Sequence, residues 1–447
     1  MRVPFRPLAR VAVPAALLGL AFPSAFCTSS CAPLVPTAIS LLLLRSGTVP
    51  RAPRARVVGR YLLTISSAYA FALVWLPRSL EGRFSVLRAA AVWVALSVYS
   101  ALYPTVAIAI SLVLLRHRVA LSASLPALWA VAEAARAAAF GGFDWLSLGY
   151  TAVEYRIFQH LFHPIGTFGV SALLVCIATA PIDLCRLVRL RPRRHLAAVG
   201  AAGIVAICAK QLPCSHEEAM VGTQSDMGLV GVLQASGEDD WASELTSVAL
   251  SGVRVVVTPE ELLSFQVPPL EPGVHMLLGA TVDCGWRGGR KCIQNVIRHI
   301  GPEGRENTPY AKRVLVPMYE RDFFVAAHDR IIMLPGSKAV VFDVDGVRMG
   351  PIICYEIADR HLVQQLKSLD VDLIVHPTSD TWQVDRSAAV QHLNIARARA
   401  AEFRIPILRV SNRWLTRMID DHGRIVDGLE DGVSPLGGTI NIGVTRH

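Results

Sequence analysis

Gly350-Pro351-Ile352-Ile353-Cys354-Tyr355-Glu356 carries a single thiol where an apolar run passes into a polar, helix-patterned one. Upstream, Val340 to Met349 reads as a strand, an Asp345-Gly346 tight turn and the start of a second strand, which puts Cys354 near that strand's end. Downstream, Ala358 to Leu366 has helical spacing, and Val371 to His376 is a short apolar run bounded by Pro377. Strand, turn and helix alternate, which predicts an α/β layer, and reacting groups in such sheets gather at the carboxyl ends of strands. A Cys in an apolar run is ordinarily a small core residue. Cys354 therefore has to be judged by its companions.

Composition separates the chain into unlike halves. Of 447 residues, 52% are apolar and 18% charged, and the apolar excess lies almost wholly before residue 210. That predicts a membrane domain over 1–212 and a soluble domain over 225–447. The net charge of +9 comes mainly from Arg in short loops between apolar segments, so it reads as membrane topology and excludes a nucleic-acid surface. Nine cysteines show no CxxC pair or Cys/His spacing, which argues against a zinc site. Cys214, Cys284 and Cys292 can pair if the soluble half lies outside the cytoplasm, and the residues alone leave this open.

Spans of about 20 apolar residues fit near 11–28, 31–45, 60–77, 89–115, 122–140, 163–184 and 195–209. The first imitates a signal peptide, but further apolar segments follow at once, so it reads as an uncleaved span. With Arg2, Arg6 and Arg10 inside, the Arg-rich loops at 45–60, 116–118 and 186–194 fall on the same side, while Arg78, Arg83 and Arg88 dissent. An odd number of spans leaves everything after Lys210 outside the cytoplasm. Within the fifth span Glu133 and Arg136 are spaced for an intrahelical pair, structural or functional. The following Gly142 to Tyr150 segment mixes Gly with aromatics, as an interfacial belt or a floor beneath the soluble domain.

From Met227 the period changes. Gly228 to Gln234, Trp241 to Ala249 and Val253 to Val257 read as strand, helix and strand, ending at Thr258-Pro259-Glu260. Strands follow at Gly273 to Asp283 and Lys291 to His299, and Pro309 to Pro317 leads to a loop with Glu320. Gln391 to Phe403 reads as a helix, with Ile407 to Val410, Arg417 to Ile419 and Thr439 to Val444 as closing strands. Glu260, Lys312 and Cys354 thus each end an apolar run and can meet at one sheet rim. A carboxylate can take the thiol proton, and an ammonium can favour thiolate and stabilise an oxyanion.

Thr258-Pro259-Glu260, Tyr310 to Pro317 and Gly350 to Glu356 resemble the signature segments of the nitrilase (carbon-nitrogen hydrolase) superfamily, and within it the apolipoprotein N-acyltransferase family. Ser379-Asp380-Thr381-Trp382, Gln391 to Ala400, Leu18 to Pro23 and Gly142 to Tyr150 extend the likeness over nearly the whole chain. The resemblance implies a multi-span helical membrane domain followed by an αββα sandwich facing away from the cytoplasm of a bacterial inner membrane. It implies Cys354 as nucleophile toward a phospholipid acyl ester, Glu260 as general base and Lys312 as oxyanion partner. The acceptor would be the α-amino group of diacylglyceryl-cysteine on an apolipoprotein, with no cofactor or metal. Glu320, Tyr355 and Glu356 match supporting positions, and Trp145, Trp241 and Trp382 match positions for substrate handling. Both substrates are lipids, so the apolar loops Leu262 to Leu270 and Phe323 to Ala327 are expected either as a membrane-touching lid or as ordinary hydrophobic contacts.

The match departs in places. Pro317-Met318-Tyr319-Glu320 lacks the family's Gly before Glu, no Gly follows Trp382, and Ser411-Asn412-Arg413-Trp414 puts bulk near the site. Nothing after Gly443 matches the family's last membrane helix, so the N-terminal spans are expected to be the anchor. Two other readings fit these departures: a membrane-anchored amidohydrolase resolved by water, or a silent scaffold of the same fold.

Overall fold

A computed structural model describes residues 5–24, 27–45, 55–81, 84–139, 142–187, 224–235, 242–261, 273–317, 319–320, 331–380, 386–431, 433 and 436–445. The chain divides into two compact units, Met1–Cys214 with Gln383–Asn394, and Ser215–Trp382 with Ile395–His447.

The first unit is helical: α1 (Phe5–Leu20), α2 (Leu34–Arg45), α3 (Ala55–Ala72), the short α4 (Leu76–Leu80), α5 (Val86–Arg116), α6 (Leu121–Ala138) and α7 (Arg156–Leu187). Packing runs α2 on α1, α1 on α3, α3 on α5, α5 on α6, α6 on α7, and α7 back on α2. Among the described residues, α5 and α7 are long and apolar enough to cross a membrane. Pro164 and Gly166, whose φ is 67°, break the helical path inside α7. The expected segment at 195–209 lies outside the described residues.

Of the two readings of the segment joining α6 to α7, burial of its aromatics speaks against the interfacial belt. Trp145 and Tyr150 are buried, and Leu148–Ala152 forms a buried 3₁₀ turn. The cause is a polar network that pulls the segment inward. Tyr150 Oη donates to Asp144 Oδ2 at 2.6 Å, Ser147 Oγ donates to Asp144 Oδ1, and Arg136 Nη2 donates to Ser147 Oγ at 3.0 Å. Glu133 Oε1 accepts from Trp129 Nε1 at 3.0 Å and from the Leu148 amide at 2.9 Å. Arg136 thus bonds to the α6–α7 segment, and Glu133 bonds both to that segment and to Trp129 of its own helix.

The second unit holds two mixed sheets. The first runs β13-β1-β2-β3-β4-β5, with β6 also on β4. Its strands are β1 (Gln224–Gln234), β2 (Val255–Val257), β3 (His275–Arg287), β4 (Arg290–Ile300), β5 (Tyr310–Ala311), β6 (Ile331–Met333) and β13 (Leu436–Thr445). The second runs β12-β11-β10-β9-β8-β7. It contains β7 (Phe342–Val344), β8 (Val347–Pro351), β9 (Leu373–Thr378), β10 (Ile407–Ser411), β11 (Arg417–Ile419) and β12 (Ile425–Gly428). Parallel pairs β1–β2 and β8–β9 are joined through helices α8 (Ala242–Ala249) and α9 (Arg360–Ser368). Helix α10 spans Arg386–Phe403.

Alternation explains the layering. Val230, Val232, Val255, Val257 and Leu277 of the first sheet pack on Val347, Met349, Leu373, Val375 and Leu408 of the second. The opposite face of the first sheet carries Met276, Leu278 and Val296 against Leu245 and Val248 of α8. On the other sheet Gly350 alternates with Met349 and meets Leu366 of α9, where a Cβ would lie 2.9 Å from the leucine. Each such buried aliphatic side chain contributes about 1.5–3 kcal/mol. The layers are those expected from the resemblance.

The β7–β8 hairpin turns on Asp345 and Gly346, both with positive φ, as the Asp-Gly pair predicts. Pro377 bounds no strand, because β9 runs through it to Thr378. There β9 has passed the last β8 partner, Pro351 opposite Val375, and pairs with β10 alone, so the missing N–H costs little.

Candidate active site

Strand β8 ends at Pro351, Ile353 remains extended, and Cys354 turns into the left-handed region at φ 49° before a 3₁₀ turn over Cys354–Ala358. A non-glycine residue holds that conformation only when its surroundings over-determine it. Here they do. The Ile352 amide donates to Val375 O at 3.0 Å and the Glu356 amide to Ile353 O at 3.1 Å. His376 Nε2 donates to Cys354 O at 3.0 Å, which fixes its proton on that nitrogen. Burial, then Arg409, lowers the His376 pKa to about 3, so the ring is neutral.

Glu356 ties this turn to the neighbouring loop. Its carboxylate accepts from the Ile353 amide at 2.8 Å, from the Val314 amide at 3.0 Å, from the Arg313 amide, and from Tyr310 Oη at 2.9 Å. Burial raises its pKa, against the pull of those backbone N–H groups.

Glu260 follows β2 on a fixed path. The Thr258 amide donates to Leu277 O at 3.0 Å and the Gly279 amide to Thr258 Oγ1 at 3.0 Å. Position 279 must be Gly, since a Cβ there would lie 1.9 Å from the Pro259 carbonyl oxygen. Lys312 follows β5, with its amide on Asn295 O at 2.8 Å and its carbonyl accepting from Gly336 at 2.7 Å.

The side chains then converge. Lys312 Nζ donates to Glu260 Oε1 at 2.8 Å and to Glu320 Oε1 at 2.7 Å. Glu260 also accepts from Asn295 Nδ2 at 2.7 Å and from the Ser379 amide at 2.9 Å. The loss of the Gly before Glu320 does not displace it, because its Oε2 accepts from the Val316 amide at 2.7 Å. Lys312 is 1% exposed and Cys354 3%. Burial works to lower the Lys312 pKa, yet Glu260, Glu320 and Cys354 lift it well above its usual value. Burial pushes the Cys354 thiol well up and Glu260 adds to this, while Lys312 and a hydrogen bond with Thr378 oppose them. The resting cluster is a thiol beside an ammonium held between two carboxylates.

Sequence reasoning missed Asn295, His376 and Thr378. Their signal was faint: a polar side chain inside a strand-like apolar run, which burial makes costly unless it is bonded. Tyr355 lies in the Cys354 turn and is buried. Trp241 and Trp382 lie outside the described residues, as do the loops 262–270 and 323–327. Asp420, Asp421 and His422 bring ligand-type atoms within 4.8 Å of one another. Asp420 is already engaged by the His422 and Arg424 amides.

Residues 15–180 match the apolipoprotein N-acyltransferase N-terminal domain, and residues 285–436 match the carbon-nitrogen hydrolase domain. The apolipoprotein N-acyltransferase of Pasteurella multocida is 24% identical over 398 residues, 80% of this chain and 76% of that protein. That of Shewanella oneidensis is 25% identical over 92% of this chain and 86% of its own. Over most of its length the chain is similar to apolipoprotein N-acyltransferases. Its match to the Allorhizobium ampelinum member, 27% identical, covers 64% of that protein's length. Among solved structures, an amidase from Nesterenkonia sp. aligns with a TM-score of 0.38 at 13% identity, covering 51% of this chain and 94% of its own. The layered sheets and the matched domain make the second unit nitrilase-like.

In the helical unit the family segments around Trp145 and Gln391 meet. Trp145 Nε1 donates to Gln391 Oε1 at 2.7 Å and Trp75 Nε1 to the same oxygen at 3.2 Å. Gln391 Nε2 donates to Pro23 O at 2.5 Å and Ala72 O at 2.8 Å. Trp145 stacks on His392 with centroids 5.4 Å apart.

Proposed function

We propose that this chain is a membrane-bound acyltransferase of lipoprotein biosynthesis. It moves a fatty acyl chain from a phospholipid to the α-amino group of diacylglyceryl-cysteine on an apolipoprotein. The observation that carries this reading is the buried Lys312 ammonium held between Glu260 and Glu320, within electrostatic reach of the strained Cys354, in a chain similar to apolipoprotein N-acyltransferases.

Cys354 Sγ attacks the ester carbonyl while Glu260 takes the thiol proton, and Lys312 stabilises the oxyanion. Collapse expels the lysophospholipid oxygen, which takes the proton from Glu260 and leaves a thioester on Cys354. The acceptor amine then attacks, Glu260 takes its proton, and the departing Cys354 sulfur receives it as the amide forms. Glu320 keeps Lys312 in place, and Glu356 positions the Cys354 turn. We assign residues 1–212 to a multi-span membrane domain of about seven helices of spanning length. The catalytic domain, 225–447, faces away from the cytoplasm of the bacterial inner membrane. Trp145, Trp241 and Trp382 are assigned to substrate handling.

Mass spectrometry of purified protein incubated with phospholipid in mixed micelles tests the mechanism. The expected result is one acyl chain on the Cys354 peptide, discharged by hydroxylamine and by a diacylglyceryl-cysteine peptide, and absent in Cys354→Ala. An adduct that only water discharges identifies a hydrolase. A folded protein that forms no adduct overturns the proposal.

A further inference from the structure

In the β3–β4 hairpin the register runs unbroken from Met276 opposite Ile300 to Asp283 opposite Ile293. Between that pair and the next, Trp286 opposite Lys291, two residues of β3, Cys284 and Gly285, stand against the single residue Cys292 of β4. Both cysteines fall on the face that Leu278, Ala280 and Val296 present to α8, since strand residues alternate sides and these three positions share a parity with the cysteines. Facing residues in an antiparallel pair have Cα atoms about 4.5–5.5 Å apart, inside the roughly 4.4–6.8 Å window of disulfides. Cys284 and Gly285, the latter at φ 84°, form the bulge there. A bulge there gives the backbone room to adjust its Cβ separation. Across the same end, Lys291 Nζ lies 3.2 Å from Asp283 Oδ2 and links the two strands.

We infer that Cys284 and Cys292 are a redox-closable pair, a disulfide site that staples the β3–β4 hairpin. Both thiols are free in this structure, Cys284 exposed and Cys292 buried. The exposed Cys284 thiolate attacks a disulfide-bearing oxidant and displaces one of its sulfurs as a thiol. Cys292, having given up its proton, then displaces the second sulfur from the mixed disulfide. One protein disulfide forms and one oxidant disulfide becomes two thiols, so electrons and protons balance. Partial burial, Asp283 and Cys292 raise the Cys284 pKa, so closure quickens with alkaline pH. Strand β4 also carries Asn295, the partner of Glu260, so the staple stiffens the strand that holds the base. The inference does not depend on the acyl-transfer reading.

The test is a non-reducing tryptic map of the full-length protein in detergent, with and without oxidised glutathione. Cleavage at Arg287, Arg290 and Lys291 falls between the two cysteines, so closure appears as a linked pair of peptides lighter by two hydrogens than their reduced sum. The expected result is that linked pair, complete loss of it in Cys284→Ser, and slower amide exchange along β3 and β4 in the oxidised protein. Free thiols at both positions overturn the inference. A lasting glutathione adduct on Cys284 with Cys292 still free, or a link from Cys284 to Cys214, overturns it equally.

Discussion

Gln391 in the helical unit and Lys312 in the sheet unit are both long polar side chains sealed from water, and their partners differ in kind. Gln391 is neutral, and its amide is saturated by two carbonyls and two indole N–H groups. Nothing there gains by moving a proton. Lys312 sits between two carboxylates, next to a thiol held at a strained φ, so its pocket carries net negative charge and resists a further thiolate. Buried charge without full compensation is costly. A saturated neutral cluster fixes a fold, whereas a charged, strained one is poised for proton transfer coupled to attack.

Lys312→Met breaks the second cluster most severely. It leaves Glu260 and Glu320 without their shared cation and removes the group proposed as oxyanion partner. The acylation rate of Cys354 should fall about a thousandfold, in the range of losing one oxyanion donor. Single-turnover quench of the acyl-enzyme measures it. A loss under tenfold would mean that Lys312 is only a structural ion-pair partner.

Glu356→Gln sharpens the contrast from the positioning side. The amide keeps the shape but offers one acceptor oxygen for the four donors that the carboxylate serves. With the Cys354 turn slackened, acylation should drop about a hundredfold, as for misplacement on the scale of 1 Å. Circular dichroism should stay unchanged, and the apparent affinity for phospholipid should shift little.

His376 supplies a pH signature. Its folded pKa, about 3, lies below the ordinary 6.5, so the neutral ring's contribution is complete above pH 6.5. It is lost as pH falls from there toward 3, because the unfolded chain takes up the proton first. Between pH 7 and 5 this term costs about 2 kcal/mol. His376→Gln keeps a donor for Cys354 O but does not titrate, so urea midpoints of the variant should fall less over that interval. Equal acid sensitivity would remove His376 from the account.

Much of this was legible in the chain. Asp345-Gly346 announced its hairpin, and the apolar runs ending at Glu260, Lys312 and Cys354 marked the sheet rim that carries the charged cluster. What escaped was set by partners distant in sequence. Asn295 in a strand and His376 before a proline look like exceptions to a pattern until Glu260 and Cys354 O are seen beside them. The β5 and β6 strands are too short to show a period. The aromatic Gly142 to Tyr150 segment invited a belt because its composition matched one. Asp144, Ser147 and the Leu148 amide instead give it an inward network with Glu133 and Arg136.

Trp145→Phe makes the smallest change and tests whether the neutral cluster has any part in turnover. The ring keeps its stack on His392, while Gln391 Oε1 loses one of its two indole donors. If Trp145 serves the saturated cluster alone, thermal stability should fall by about 1 kcal/mol, the net worth of one buried hydrogen bond. Acylation and transfer rates of the folded fraction would then be unchanged. If Trp145 also handles substrate, KM for the diacylglyceryl-cysteine peptide should rise about tenfold with kcat preserved, as expected when ground-state and transition-state binding are lost equally. A fall in kcat at constant KM fits neither role. It would mean that the neutral cluster, for all its saturation, is coupled to the chemistry at Cys354.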